Sequence, residues 1–294
     1  MLHISPRSDF RSFLLIVITA AIWTSPSRAI VPLAEPSLPQ RVALAEFVLV
    51  GKVKTLESDL VNASPLLRIP GVGKIPFQVA VISVRTSILG TKNLTQVRVG
   101  YVVLPSASKE SQLKYRRLAR VKLAEGQEGC FFLTKHPEEP FYVAQAAYEF
   151  LDQSKTKDYD KKLSEIKHDA ELLRDPDAGL QSKSSADRLR TAAMLIFRYR
   201  TARFVYTGQP ATAPIEASQS RRILAALAET EWREEEAPLE LSPFSLFMRL
   251  DLTPEDGWTP PGTVAGQIAA AKKWLAENGD KYRIQKYVPE TKAE

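Results

Sequence analysis

The chain is expected to be α+β, with an antiparallel β-barrel in its first half and an α-helical bundle in its second. Three observations lead there. Between Arg41 and Val143 the pattern favours strands, with period-two alternation in Phe77–Val84 and Gln96–Val103, whereas from Asp158 to Arg174 apolar residues recur at spacings of three and four. The 294 residues are 44% hydrophobic and 25% charged, the composition of a folded globular protein. A single cysteine, Cys130, excludes an intramolecular disulfide framework, and no run of eighteen apolar residues follows the first thirty positions, which excludes an internal membrane span.

The first element is an address. Arg7 and Arg11 precede or open the apolar run Phe13–Trp23, and Thr-Ser-Pro-Ser-Arg-Ala follows it to Ala29, the layout of a secretory signal peptide. Eleven residues at about 1.5 Å each fall short of a hydrocarbon layer of about 30 Å. Small residues at Ser27 and Ala29 suit cleavage after Ala29, so residues 1–29 are read as the leader. No cysteine follows the run, which excludes a lipid anchor there. The mature chain is expected to be secreted or periplasmic, without a transmembrane span and without intracellular nucleic acid as a partner.

Residues 30–150 form the expected β domain. Phe47–Val53 is rich in β-branched residues, Phe77–Val84 and Gln96–Val103 alternate at period two, and Gly129–Thr134 and Phe141–Val143 add two shorter candidates. Five strands joined by loops of unequal length, with no helical crossovers of repeating size, argue for a small antiparallel barrel of OB-like type rather than a parallel sheet.

The runs Val42–Val53, Phe77–Gly90 and Gly126–Leu133 resemble the OB-type barrel of netrin-like and tissue-inhibitor-of-metalloproteinase modules, and also bacterial exported proteins of similar strand pattern. The resemblance covers about 100 residues and implies a fold, not an activity. The inhibitor modules present an N-terminal cysteine to a protease metal and carry disulfides; this chain has neither, so protease inhibition is not implied.

Residues 151–183 read as a helical linker and 184–294 as an α-helical domain. Tyr159, Leu163, Ile166, Ala170 and Leu173 make one stripe, which Asp175-Pro-Asp-Ala-Gly179 stops. A second helix starts at Ser184 or Ser185, with Asp187 placed for capping, and runs to about Arg203. Further helices are expected from Pro214 to Trp232, over Ser242–Leu250 with proline in the first turn, and from Thr263 to Asn278. The arrangement is loosely similar to a HEAT-type array, without a repeat of fixed period. Tyr282–Val288 is either a terminal strand or an extended tail.

Chemistry is sparse. The spacings CxxC, HxxxH, GxSxG and HExxH are absent, and Gly71-Val-Gly-Lys74 lacks the first glycine and the final Ser or Thr of a phosphate loop. No catalytic residue, cofactor or metal site is therefore assigned. Cys130 lies among apolar neighbours and reads as a buried thiol; a pairing with His136 would lack an orienting third group. Asn62-Ala-Ser64 and Asn93-Leu-Thr95 are sequons.

Two surfaces stand out. Residues 30–150 carry 15 basic and 10 acidic side chains, against 22 and 23 in 151–294. Within the first half, Lys109, Lys114, Arg116, Arg117, Arg120 and Lys122 face only Glu110, a surface suited to an anionic polymer. Trp258, between Gly257 and two prolines, is the candidate aromatic contact. The arginines from Arg188 to Arg203 are expected in salt bridges, with Asp187 and Glu234–Glu236 as available partners. The leading expectation is an exported non-enzymatic protein that binds another protein. The alternatives are binding of an acidic glycan or lipid headgroup through 109–122, and a hydrolase with its site between the two halves.

Overall fold

A computed structural model describes residues 35–66, 73–90, 93–103, 121–144, 146–202, 211–233, 235–236 and 239–288. Glu35 and all that follows belong to one compact unit. Residues 1–29, expected to be a leader, lie outside the described residues.

The first half is dominated by a seven-stranded sheet of β1 (Phe47–Leu56), β2 (Val61–Ala63), β3 (Ile75–Leu89), β4 (Gln96–Val102), β5 (Glu128–Lys135), β6 (Tyr142–Val143) and β7 (Phe150–Asp152). The pairings run β1–β3–β4–β6–β5, and β5 pairs with β1 as well. The β4–β6 pair is parallel and the others antiparallel. The five strands expected from alternation coincide with β1, β3, β4, β5 and β6. The short strands β2 and β7 pair with β3 and β5, and three residues are too few to display a period.

Side-chain alternation divides β1 between two cores. Val48 and Val50 join Cys130, Phe132 and Leu151 against the helices, while Phe47, Leu49 and Val53 join Val97, Val99, Phe131 and Leu133 on the opposite face. Neither face of β1 or β5 is left to water over most of its length, which accounts for their near-continuous burial. Gly129 is required for this stacking of strands. A Cβ there would sit 2.0 Å from the Leu151 carbonyl oxygen, so β7 could not approach β5.

Seven helices are present among the described residues: α1 (Leu38–Leu44), α2 (Tyr159–Arg174), α3 (Pro176–Leu180), α4 (Ser185–Arg200), α5 (Ala217–Ala228), α6 (Pro243–Met248) and α7 (Val264–Asn278). Their starts follow local chemistry. Ser184, Ser242 and Thr263 each accept a hydrogen bond from the backbone N–H three residues on, at 3.1–3.2 Å, and proline occupies the first turn of α1, α3 and α6. Asp175 ends α2 as expected, then caps α3 by accepting from Ala178 N at 3.0 Å. The terminal segment resolves as strand β9 (Gln285–Val288), paired antiparallel with β8 (Ala211–Pro214).

The helices and the sheet share one core. Val42 and Ala43 of α1, Ile166, Ala170 and Leu173 of α2, and Ala192–Phe197 of α4 are buried with Val48, Val50, Cys130 and Phe132. In the same core, Phe247 of α6 meets the rings of Trp232, Trp258 and Trp274 at centroid distances of 6.0, 4.9 and 5.6 Å. Arg200, at the end of α4, donates to the carbonyls of Arg249 and Gln285 at 3.2 and 3.1 Å and lies over the Tyr287 ring, tying α4 to β9 and to the exit of α6.

One buried ion pair docks α2 on α4. Asp169 is fully buried and accepts from both Nε and Nη2 of Arg190. Burial pushes the Asp169 carboxyl above its ordinary range, and the Arg190 hydrogen bond acts against that. The same contact raises the Arg190 guanidinium. Removing one partner leaves a buried charge, so Arg190→Met is expected to destabilise the protein by about 3–5 kcal/mol. Replacing both residues together by Leu and Met should restore most of that loss in urea unfolding.

Candidate functional site

Of the six cations singled out between Lys109 and Lys122, Lys109, Lys114, Arg116, Arg117 and Arg120 lie outside the described residues. The two ends of their segment are described, and both are anchored. Tyr101 and Val102 at the end of β4 are buried, and Val103 N donates to Pro76 O at 3.2 Å. At the other end Val121 and Leu123 are buried in the core of Val97, Val99 and Tyr101. The Tyr101 hydroxyl donates to Leu123 O at 3.3 Å, and burial raises its pKa. Lys122, between buried Val121 and Leu123, is exposed and makes no ion pair with another described residue. The described residues at both ends of the basic connection are therefore packed in place.

Trp258 is placed otherwise than a contact surface requires. It is 5% exposed and stands edge-on against Phe247. The chain is turned inward by the 3-10 turn Pro254–Asp256 and by Gly257, whose φ of 76° lies in the left-handed region. Asp256 O then accepts from Trp274 Nε1 at 2.8 Å, closing the loop on α7. The indole belongs to the core because burying its large apolar area outweighs what a loop exposes.

Cys130, His136 and His168 are each engaged structurally. Cys130 is fully buried against the helices, and burial pushes its thiol up to about 12. His136 is buried beside Phe77 and Phe141, in a different cluster of the core. Its Nδ1 accepts from the N–H groups of Glu138 and Glu139 at 3.1 and 3.0 Å, so the ring proton resides on Nε2 and is donated to Ser64 O at 2.8 Å. This histidine ties the exit of β2 to the turn between β5 and β6. His168 Nε2 lies 2.9 Å from Asp187 Oδ1 on the surface. Among the described residues no group of three His, Cys, Asp or Glu side chains converges as a metal site would require.

Three of the arginines expected in salt bridges, Arg188, Arg190 and Arg200, form them, though with other partners than the acidic run. Arg188 pairs with Glu229 at 2.9 Å, Arg190 with Asp169, and Arg200 with Asp251 at 3.1 Å. Glu236 pairs instead with Arg233 at 3.4 Å. Arg198 donates to Ala43 O at 3.3 Å and is lowered in pKa by burial. Arg203 lies outside the described residues.

A cleft of about 230 Å³ opens where α1, β5, β6 and the end of α4 meet. Leu44, Ala45, Phe132 and Val143 form apolar walls, and Arg41 supplies the one cation among the lining residues described. Sequence reading overlooks Arg41 because its partner Tyr148 is 107 residues away.

The thiol provides a direct check on this arrangement. Cys130 should react with a disulfide reagent at pH 8 only at the rate of unfolding, and at the rate of an ordinary free thiol once urea has unfolded the chain; fast reaction in the native state would place it in contact with solvent. No protein-family model matches the chain, and no curated protein is significantly similar to it.

Proposed function

We propose that this is an exported, non-enzymatic binding protein that uses an OB-like barrel to present the basic connection 109–122 to an anionic polymer such as an acidic glycan. The observation that carries the reading is the partition of charge. In the helical half Arg188, Arg190, Arg200 and Arg222 are each matched by an acid in an ion pair, whereas the 109–122 run contains six cations and one acid. Exposed Lys122 has no ion pair among the described residues. The ring of pairings β1–β3–β4–β6–β5–β1, with β4–β6 parallel, supports the barrel assignment. The leader-like residues 1–29 support export, and no helix among the described residues is long and apolar enough to cross a membrane.

A hydrolytic site at the meeting of sheet and helices is less well supported. The cleft there is mostly apolar, and the guanidinium of Arg41 is already held by Glu35 and two backbone carbonyls. A protein partner docked on the helical half is a second reading, favoured by the exposed side chains of Leu239, Met248 and Val264, which are 58%, 41% and 45% accessible.

Heparin chromatography separates the readings. The chain should be retained at low salt and released as salt rises, with the double variant R116E/R117E losing about 2 from the log–log salt slope. Unchanged retention of that variant removes 109–122 from the function, and salt-resistant capture of a protein partner by both forms favours the helical half.

A further inference from the structure

Arg41 is a pre-oriented donor with one exchangeable partner. Its side chain is 7% exposed. Nε donates to Pro36 O at 2.9 Å and Nη1 to Tyr148 O at 3.0 Å, while the guanidinium lies 5.6 Å from the Tyr148 ring centroid. Three contacts from two separate parts of the chain thus hold its plane. The remaining partner, the Glu35 carboxylate on Nη2, differs in kind, because that side chain is 64% exposed. An exposed glutamate can turn into water at little cost, whereas the arginine cannot leave with it.

The surroundings of this cation are apolar. Leu44 of α1, Ala45 just after it, Phe132 of β5 and Val143 of β6 line the cleft, and the last three are at most 5% exposed. Polar groups on the lining include the hydroxyls of Thr134 and Thr201 and the carboxylate of Glu149, which accepts from Ala146 N at 3.3 Å in its own turn. At about 230 Å³ the cleft lies below the roughly 300–1,000 Å³ of pockets for drug-sized ligands. It holds about eight water-sized groups at about 30 Å³ each. A buried cation beside apolar walls selects a ligand with one negative end and a short apolar body.

We propose that this cleft binds a small apolar monocarboxylate, whose carboxylate competes with that of Glu35 for the Arg41 guanidinium and whose hydrocarbon lies against Leu44, Phe132 and Val143. The site is separate from the basic connection and does not rest on the reading of that connection.

The test is calorimetric titration of the full chain with hexanoate. Hexanoate should saturate one site, and hexanol, which has the same body without the charge, should bind at least about tenfold more weakly, the loss expected when a charged hydrogen bond is removed. Glu35→Gln should tighten hexanoate binding by removing the competing carboxylate. Arg41→Met should abolish it. Because Arg41 also supports the fold, a second variant keeps the test decisive: Ala202→Trp fills the cleft from an exposed position and should block binding with the protein folded. Acetyl-leucine binding more tightly than hexanoate would identify a peptide terminus as the source of the carboxylate, and the reverse a free acid. Equal binding of hexanol and hexanoate, no effect of Ala202→Trp, or no saturable binding of either acid would overturn the proposal.

Discussion

The burial of β1 and β5 on both faces is the constraint on which the rest of this structure depends. A strand whose side chains alternate between two cores must be covered twice. One cover comes from the sheet itself, through Val97, Val99 and Leu123, and the other from α1, α2 and α4. The helices are thereby committed to the sheet. Val48, Val50 and Phe132 need Ala43, Ile196 and their neighbours as much as those need the strands, since apolar burial is the main favourable term in folding. Polar contacts then fix the angles. Arg190 holds α2 to α4, Arg198 reaches the backbone of α1, and Arg200 locks the end of α4 to β9.

This constraint also explains how chemistry is distributed. The one cysteine and one of the described histidines are drawn into the interior as packing and hydrogen-bonding groups, and a thiol held near 12 has little thiolate at neutral pH. The charged residues of the helices neutralise one another at close range. The two features on which the proposals rest are a basic connection whose described ends adjoin buried residues, and a small cleft with a fixed guanidinium.

Much of the secondary structure was legible because it is governed by local periodicity. The alternation in Phe77–Val84 lies within β3, and the stripe from Tyr159 to Leu173 spans nearly all of α2. Caps such as Ser184 and Ser242 are short-range devices and show in the sequence for the same reason. The missing parts are those decided by distant partners. The short helix α1 lies in a proline-rich stretch and is held by the Arg198 and core contacts of another region. β2, β7 and β8 are three or four residues long and exist through their pairing strands. Trp258 read as a loop aromatic because its neighbours are Gly and Pro, while its true environment, Phe247, is eleven positions earlier in the chain. Arg41 carried no signal at all, since a single arginine becomes a site only through contacts separated widely in sequence.

The central claim is that sheet and helices are stabilised by one shared core. Native-state hydrogen exchange tests it most directly, by comparing the backbone amides of Val48–Val50 and Phe131–Leu133 with those of Met194–Phe197. The account predicts that both sets exchange only through global unfolding, with the same opening free energy and the same dependence on denaturant. If the helical amides open at a distinctly lower free energy while the strands remain protected, the two halves are independent and the shared core is not what holds the protein together.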